Sequence, residues 1–154
     1  MHSNNHKAMM YGRFAVMMAL SFALMFAFMY AMVDRLANVY PNLNQAYMAG
    51  LMVAPMAALE LTLMGAMYGN KRLNMLIVSA SILLLLLCWF GIRDQLAVGD
   101  KSFLRSMIPH HAGAILMCNH ASISDAEIRK LCGEIVKSQQ QEIGQMKGIL
   151  RRLP

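Results

Sequence analysis

The chain has 154 residues, of which 58% are hydrophobic and 14% are charged. Soluble domains carry roughly 25% charged residues, so this composition argues against an ordinary soluble domain and favours a membrane protein. The formal net charge of +6 comes from basic residues that are scattered rather than clustered, so we expect no nucleic-acid partner.

Three apolar segments predict transmembrane helices. The first runs from Phe14 to Val33 without a charged residue, the second from Ala46 to Tyr68, and the third from Leu73 to Ile92. A helix needs about 20 apolar residues to cross the hydrocarbon core of a bilayer, and each segment meets that length. The short linker from Gly69 to Arg72 predicts a tight antiparallel turn between the second and third helices.

These spans divide the chain into an N-terminal tail (1–12), a transmembrane region (13–93) and an extramembrane helical hairpin (94–154). By the positive-inside rule, the side of the membrane that carries most basic flanking residues is cytoplasmic. Three spans then place the hairpin on the opposite side. We expect a lipid-embedded protein of the bacterial inner (cytoplasmic) membrane, with a cytoplasmic N-terminus and a periplasmic hairpin. The basic residues that set this orientation are Lys7, Arg13, Lys71 and Arg72.

Glu60 is an ionisable residue inside the second span, in a row of methionines spaced four residues apart. A carboxyl group within a membrane is a candidate functional site. One interpretation is a methionine-lined path for Cu(I), with Glu60 as a proton or ion partner. In the simpler interpretation, which we favour, Glu60 is protonated or hydrogen-bonded to Ser79 or Ser81, and the methionines are apolar filling. The path candidates are Glu60, Met48, Met52 and Met56.

After residue 100 the apolar spacing predicts two helices joined by a turn. In the first helix, Pro109 should cause a kink or leave the carbonyl of Arg105 without its helical donor. Ser124 and Glu127 have the spacing of a capping box, so the second helix is expected to start at residue 125 and run to about Arg151. The predicted seam of the second helix comprises Ile128, Cys132, Ile135, Gln139, Glu142, Met146 and Ile149.

A turn centred near Ala121 sets the expected register of this hairpin. It places His111 opposite about Cys132, and it separates Cys118 from Cys132 by roughly 10 Å along the helix axis, at 1.5 Å per residue. We therefore do not expect a disulfide between these two cysteines. Cys88 lies in an apolar run and is expected to be a small buried hydrophobe.

Thioether, imidazole and thiol side chains are concentrated on the hairpin. Together they form the ligand set of a soft metal, above all Cu(I), with Ag(I) as an alternative. The competing interpretation is a buried polar network in which the histidines bond Gln139 or Glu142 and no metal binds. The candidate metal ligands are Met107, His110, His111, Met117, Cys118, Cys132, Gln139, Glu142 and Met146.

The hairpin carries the sequence M-I-P-H-H at 107–111 and the pattern Q-x-x-E-I-x-x-M at 139–146. Over about the last third of the chain, this pair of motifs resembles the bacterial domain-of-unknown-function family 305. The resemblance implies a ferritin-like helical domain that handles copper and silver outside the cytoplasm. Longer family members carry two helical hairpins, whereas this chain has one. Because a single hairpin has little core, we expect two copies to form a homodimeric four-helix bundle.

We therefore predict an all-α protein, with three transmembrane helices followed by half of a ferritin-like four-helix bundle. The predicted function is copper storage, sequestration or handover in the periplasm, without enzymatic activity. A periplasmic copper chaperone or exporter is the expected partner. The alternatives are a subunit of a metal transporter and a dimerisation module that binds no metal. A di-iron oxidoreductase is disfavoured, because no glutamate of the hairpin begins a Glu-x-x-His motif.

Overall fold

A computed structural model describes residues 2–154, with side chains from residue 9 onward. These residues form helices and no strand, which confirms the all-α prediction. Two short 3₁₀ helices, Met29–Met32 and Leu36–Asn38, follow the first α-helix. The α-helices are α1 (His2–Phe28), α2 (Leu43–Leu63), α3 (Gly65–Tyr68), α4 (Lys71–Arg93), α5 (Asp100–His120) and α6 (Ala126–Arg152).

The chain divides into two compact units. The membrane unit comprises Met1–Phe28 and Ala46–Leu96, and the hairpin unit comprises Met29–Gln45 and Ala97–Pro154. We call Met29–Gln45 the connector. The predicted transmembrane region (13–93) includes the connector, but in the structure the connector packs with the hairpin.

Three helical stretches are long and apolar enough to cross a membrane, in agreement with the sequence. They are Met9–Met32, Leu43–Leu63 and Lys71–Arg93. Most of their large apolar side chains are exposed, as expected of helices that face lipid. Helix α1 begins at His2, so the helix extends into the segment predicted as a tail.

A small core joins α1 to the turn between α2 and α4. The buried cluster consists of Phe14, Ala57, Leu61 and Tyr68. The rings of Phe14 and Tyr68 meet edge to face, with their centroids 5.7 Å apart. The hydroxyl of Tyr11 donates to Oδ1 of Asn74 at 2.6 Å, which ties α1 to α4.

Gly69 and Asn70 make the tight turn that the sequence predicted. Gly69 has a φ of 65°, in the left-handed region that favours glycine. Asn70 caps α4, because its side-chain oxygen accepts a hydrogen bond from the backbone N–H of Leu73 at 3.1 Å. Lys71 and Arg72, predicted as linker, form the first turn of α4.

Two glycines let α2 and α4 approach closely. A Cβ atom at Gly50 would lie 2.7 Å from Sγ of Cys88. A Cβ atom at Gly91 would lie 3.0 Å from the ring of Tyr47. Cys88 is a free, buried cysteine, as predicted.

The hairpin unit has a core of its own between α5 and α6. Ile108 and Ile115 on α5 are fully buried, and they cluster with Ile143 on α6. The α6 seam differs from the prediction, since Ile128 is half exposed and Ile143 takes the central position expected for Glu142. The partly buried side chains that surround this cluster are Val33, Tyr40, Val136, Met146 and Leu150.

The cap of α6 is Asp125 rather than Ser124. Oδ1 of Asp125 accepts a hydrogen bond from the backbone N–H of Glu127 at 2.9 Å and another from the next residue at 3.0 Å. A carboxylate here also complements the positive end of the helix dipole. Cys118 on α5 faces Cys132 on α6, so the register of the hairpin is centred near residue 125 and not near Ala121.

The connector is fastened to the hairpin by contacts that the sequence did not predict. Nζ of Lys147 on α6 donates to the carbonyl oxygen of Ala37 at 2.8 Å and to Oδ1 of Asn38 at 2.6 Å. Within the connector, the hydroxyl of Tyr30 donates to the carbonyl oxygen of Tyr40 at 2.9 Å. Within one chain, the connector therefore covers part of the hairpin surface that a second copy was expected to cover.

Pro109 leaves the carbonyl of Arg105 without a helical donor, as predicted, and the connector supplies one. Helix α5 continues through Pro109. The buried side chain of Asn42 places Nδ2 3.4 Å from the carbonyl oxygen of Arg105 and donates to it. The hydrogen bond lost to proline is replaced by a contact between the connector and α5.

Candidate metal centre

His111 is a buried polar side chain in the middle of α5. Its Nδ1 lies 2.9 Å from the carbonyl oxygen of Met107, one helical turn earlier, and its Nε2 lies 2.7 Å from Oε2 of Glu142 on α6. A carbonyl oxygen can only accept, so Nδ1 carries a proton. This bond fixes the ring orientation and directs Nε2 towards the facing helix.

Glu142 is hydrogen-bonded from two sides. Oε1 accepts from the hydroxyl of Ser138 at 2.7 Å, one turn earlier on α6, and Oε2 faces His111. The bond from Ser138 and the bond from His111 lower the pKa of Glu142 below its ordinary value. Glu142 is therefore a carboxylate near neutral pH, and its Oε2 faces Nε2 of His111.

A metal ion can bind at Nε2 of His111, the ring nitrogen that faces Glu142. Metal-binding histidines commonly donate their other ring N–H to a backbone carbonyl or a carboxylate, as Nδ1 does here. The side chain of Glu142 is 45% exposed, which gives it room to turn while it keeps its bond to Ser138. Metal binding at this position competes with protonation of the imidazole.

Met107 and Met146 occupy matching positions beside this pair. Met107 precedes His111 by four residues on α5, and Met146 follows Glu142 by four residues on α6. Because the two helices are antiparallel, both methionines lie one helical turn from the pair, on the side away from the turn of the hairpin. Met107 is partly buried, and Met146 packs against the hairpin core. The register thus groups two thioethers, an imidazole and a carboxylate on one stretch of the hairpin.

The other predicted ligands, apart from the cysteines, form no hydrogen bond with the pair in the described part of the chain. His110 is exposed, and its ring centroid is 6.1 Å from that of His111, as adjacent positions about 100° apart on a helix require. Met117 is 54% exposed. Gln139 is partly buried on α6, three residues before Glu142.

Cys118 and Cys132 are joined by a disulfide, so our prediction that they lie too far apart was wrong. Their Cα atoms are 5.3 Å apart, within the range of disulfides. The error follows from the turn, because a centre near Ala121 shifts the facing positions on α6 by about two helical turns. Oxidised cysteines offer no thiolate, so in this state both leave the ligand set.

Among the side chains that the structure describes, no three of His, Cys, Asp or Glu come together as a metal cluster. Structural zinc sites take four such ligands, and di-iron bundles take several carboxylates. The donors around His111 are different, since most of them are thioether and imidazole. Such a set suits a soft monovalent ion.

In the membrane unit, Glu60 is paired with Tyr68 and not with Ser79 or Ser81. The hydroxyl of Tyr68 donates to Oε1 of Glu60 at 2.8 Å. The hydroxyl of Ser81 donates instead to the carbonyl oxygen of Ile77. Tyr68 could not be predicted as the partner of Glu60, because the break between α2 and α3 turns the chain back towards Glu60.

The methionines of the predicted path point outward. Met48, Met52 and Met56 are between 39% and 46% exposed. In the described part of one chain they line the outer surface of α2 and not a channel between helices.

Two features of the hairpin unit were not predicted from the sequence. Ser138 lies four residues before Glu142, a spacing that places both on one helical face, so this partner could have been found. The connector could not, because Asn38, Tyr40 and Asn42 act through tertiary contacts that leave no periodic pattern.

A family model described as a domain of unknown function (DUF305) matches residues 44–150. The match includes α2, α3 and α4 as well as the hairpin, and so extends well beyond the last third of the chain. An uncharacterised protein of Acanthamoeba polyphaga mimivirus is 34% identical over 119 residues, which cover 76% of each protein. No solved structure matches this chain.

Proposed function

The chain belongs to the DUF305 family, and we propose that it is a membrane-anchored protein that binds copper as Cu(I). Ag(I) is the expected competitor, since it prefers the same soft ligands. The protein stores or sequesters copper, or hands it to a periplasmic chaperone or exporter. It performs no catalysis in this role.

The observation that carries this proposal is the setting of His111. Nδ1 is bonded to the carbonyl of Met107, and Nε2 points at the exposed carboxylate of Glu142. The ring is therefore held in one orientation with its second nitrogen accessible from α6. Met107 and Met146 lie one turn away and supply the thioethers that Cu(I) prefers.

Two features support a periplasmic position for the hairpin unit. Disulfides persist in oxidising compartments such as the periplasm, and the hairpin contains one between Cys118 and Cys132. Lys71 and Arg72 at the start of α4 favour the cytoplasmic side for that turn. Three membrane crossings then lead to a hairpin outside the cytoplasm, at the bacterial inner membrane.

A second copy of the chain is the proposed partner of the hairpin. Large apolar side chains on the hairpin are about half exposed, and burying them favours association by about 25 cal/mol per Å². Two hairpins together would complete a ferritin-like four-helix bundle. A monomer in lipid nanodiscs, measured by native mass spectrometry, would contradict this part of the proposal. The side chains concerned are Phe103, Met117, Ile128 and Leu131.

The test is the Cu(I) affinity of the full-length protein in detergent, measured by competition with a chromogenic Cu(I) chelator. His111→Ala should weaken binding by at least about tenfold, or about 1.4 kcal/mol. His110→Ala is the matched control, because it removes an exposed imidazole without touching Glu142, and its affinity should equal that of the wild type. Equal affinity in the wild type and in His111→Ala would contradict the role of His111, and no binding in either protein would leave the hairpin as a dimerisation module without metal.

A further inference from the structure

We infer that the Cys118–Cys132 disulfide is an exchangeable redox pair, and that its reduction by a dithiol creates a second Cu(I) site at the turn end of the hairpin. This site shares no ligand with the centre at His111. It therefore goes beyond the proposed function and can be tested separately from it.

The disulfide is open to attack. Cys118 and Cys132 are both partly exposed, and they line a cavity of about 360 Å³ together with Arg129, Gly133 and Val136. A Cβ atom at Gly133, which lines the same cavity, would meet nothing within 4 Å, so this part of the cavity wall is open. Exposed disulfides are the labile ones, whereas structural disulfides resist reduction.

The hairpin does not depend on the disulfide to hold the two sulfurs together. Ile115 lies one turn before Cys118 and is fully buried, and Val136 lies one turn after Cys132 and packs against the same core. These contacts keep α5 and α6 in register at this level. With Cα atoms 5.3 Å apart on two rigid helices, the reduced sulfurs stay within reach of one ion.

A dithiol, for example that of a thioredoxin-like protein, supplies the two electrons that reduce the disulfide. One of its thiolates bonds to Sγ of Cys132, the bond between the two cysteines breaks, and Sγ of Cys118 leaves as a thiolate that takes up a proton. The second thiolate of the reductant then displaces Cys132, which is protonated in turn. The chain gains two electrons and two protons, and the reductant becomes a disulfide.

Two thiols at this distance form a Cu(I) site. Cu(I) binds both sulfurs and releases two protons, which leaves a bis-thiolate complex with one negative charge. Thiolate is the softest ligand that proteins offer, so this site suits Cu(I) and Ag(I). Arg129 lines the same cavity, and its positive charge compensates the negative charge of the complex. Copper capacity at this end of the hairpin thus depends on the redox state of the two cysteines.

The experiment compares oxidised and dithiothreitol-reduced full-length protein in detergent, in a Cys88→Ala background that removes the third thiol. Alkylation followed by mass spectrometry counts the accessible thiols, circular dichroism monitors the helices, and anaerobic titration against a chromogenic chelator counts bound Cu(I). Reduction should expose two thiols without loss of helix, and should add about one equivalent of tightly bound Cu(I).

Two variants separate this site from the centre at His111. Cys118→Ser with Cys132→Ser lacks the disulfide in both conditions, and it should bind the same amount of Cu(I) before and after reduction. His111→Ala should still gain one equivalent on reduction, whether or not the centre at His111 binds copper. The inference is overturned if reduction adds no Cu(I), or if the disulfide yields to the dithiol only after the helices unfold.

Discussion

Nε2 of His111 lies 2.7 Å from Oε2 of Glu142, and this contact joins α5 to α6. The side chain of His111 is 11% exposed, whereas that of Glu142 is 45% exposed. One partner is thus held in the core of the hairpin and the other is in contact with water. Such a pair responds to pH, to its neighbours and to an incoming metal ion.

Ser138→Ala should raise the pKa of Glu142. The hydroxyl of Ser138 donates to Oε1 and is the largest of the effects that lower this pKa. Without it, the carboxylate keeps only the bond from His111, so its pKa moves back towards the ordinary value. NMR titration of the labelled Glu142 side chain measures the change. An unaltered pKa would mean that the hydroxyl does not reach the carboxylate.

The lowered pKa of Glu142 should make the hairpin less stable in acid. A carboxyl group whose pKa is lower in the folded state stabilises that state above the unfolded pKa, about 4.3 for glutamate, and this stability is lost as the pH falls through the folded pKa. Between about pH 6 and about pH 3, Tm should therefore fall further in the wild type than in Glu142→Gln, which has no titrating group here. Thermal melts followed by circular dichroism decide the matter, and parallel curves would contradict the expectation.

Lys147→Met should loosen the connector. Methionine keeps the apolar stem of lysine but loses the charged donor to the carbonyl of Ala37 and to Asn38. Hydrogen bonds of charged groups contribute about 1.5–3 kcal/mol, so local opening should become easier by about that amount. Hydrogen exchange of the connector amides measures it. Lys137→Met, which changes an exposed lysine of α6, is the control and should leave their protection unchanged.

Gly50→Ala should destabilise the membrane unit. The added methyl group would lie 2.7 Å from Sγ of Cys88, so α2 or the side chain must shift. Overpacking of this kind costs about 1–3 kcal/mol. Cys88→Ala removes the sulfur, and in the double variant it should recover most of the loss. A double-mutant cycle of thermal or denaturant unfolding in detergent measures the coupling, and strictly additive effects would contradict this packing.

Helix content and membrane spans were predictable because they depend on length and hydropathy, which are local properties. The free carbonyl of Arg105 was predictable too, since it depends on the missing N–H of Pro109 four residues later. The donor that satisfies it, Asn42, was not predictable, because it lies 63 residues away in the chain and reaches α5 through tertiary packing.

The register of the hairpin shows why the candidate site was only partly predicted. Placing the turn near Ala121 rather than near residue 125 paired His111 with Cys132 instead of Glu142 and excluded the disulfide. The pairing of His111 with Glu142 is one of the alternatives that the sequence leaves open, because a polar network between the histidines and Gln139 or Glu142 is one of its two interpretations. The geometry of the pair depends on the register of the two helices, and no residue near Ala121 marks the position of the turn strongly enough to set that register.

X-ray absorption at the copper K edge, on Cu(I)-loaded full-length protein with its disulfide intact, tests the central claim most directly. The account predicts a first shell that mixes thioether sulfur from Met107 and Met146 with nitrogen from His111, and the nitrogen contribution should disappear in His111→Ala. A shell of nitrogen and oxygen alone, or a spectrum that His111→Ala leaves unchanged, would contradict it.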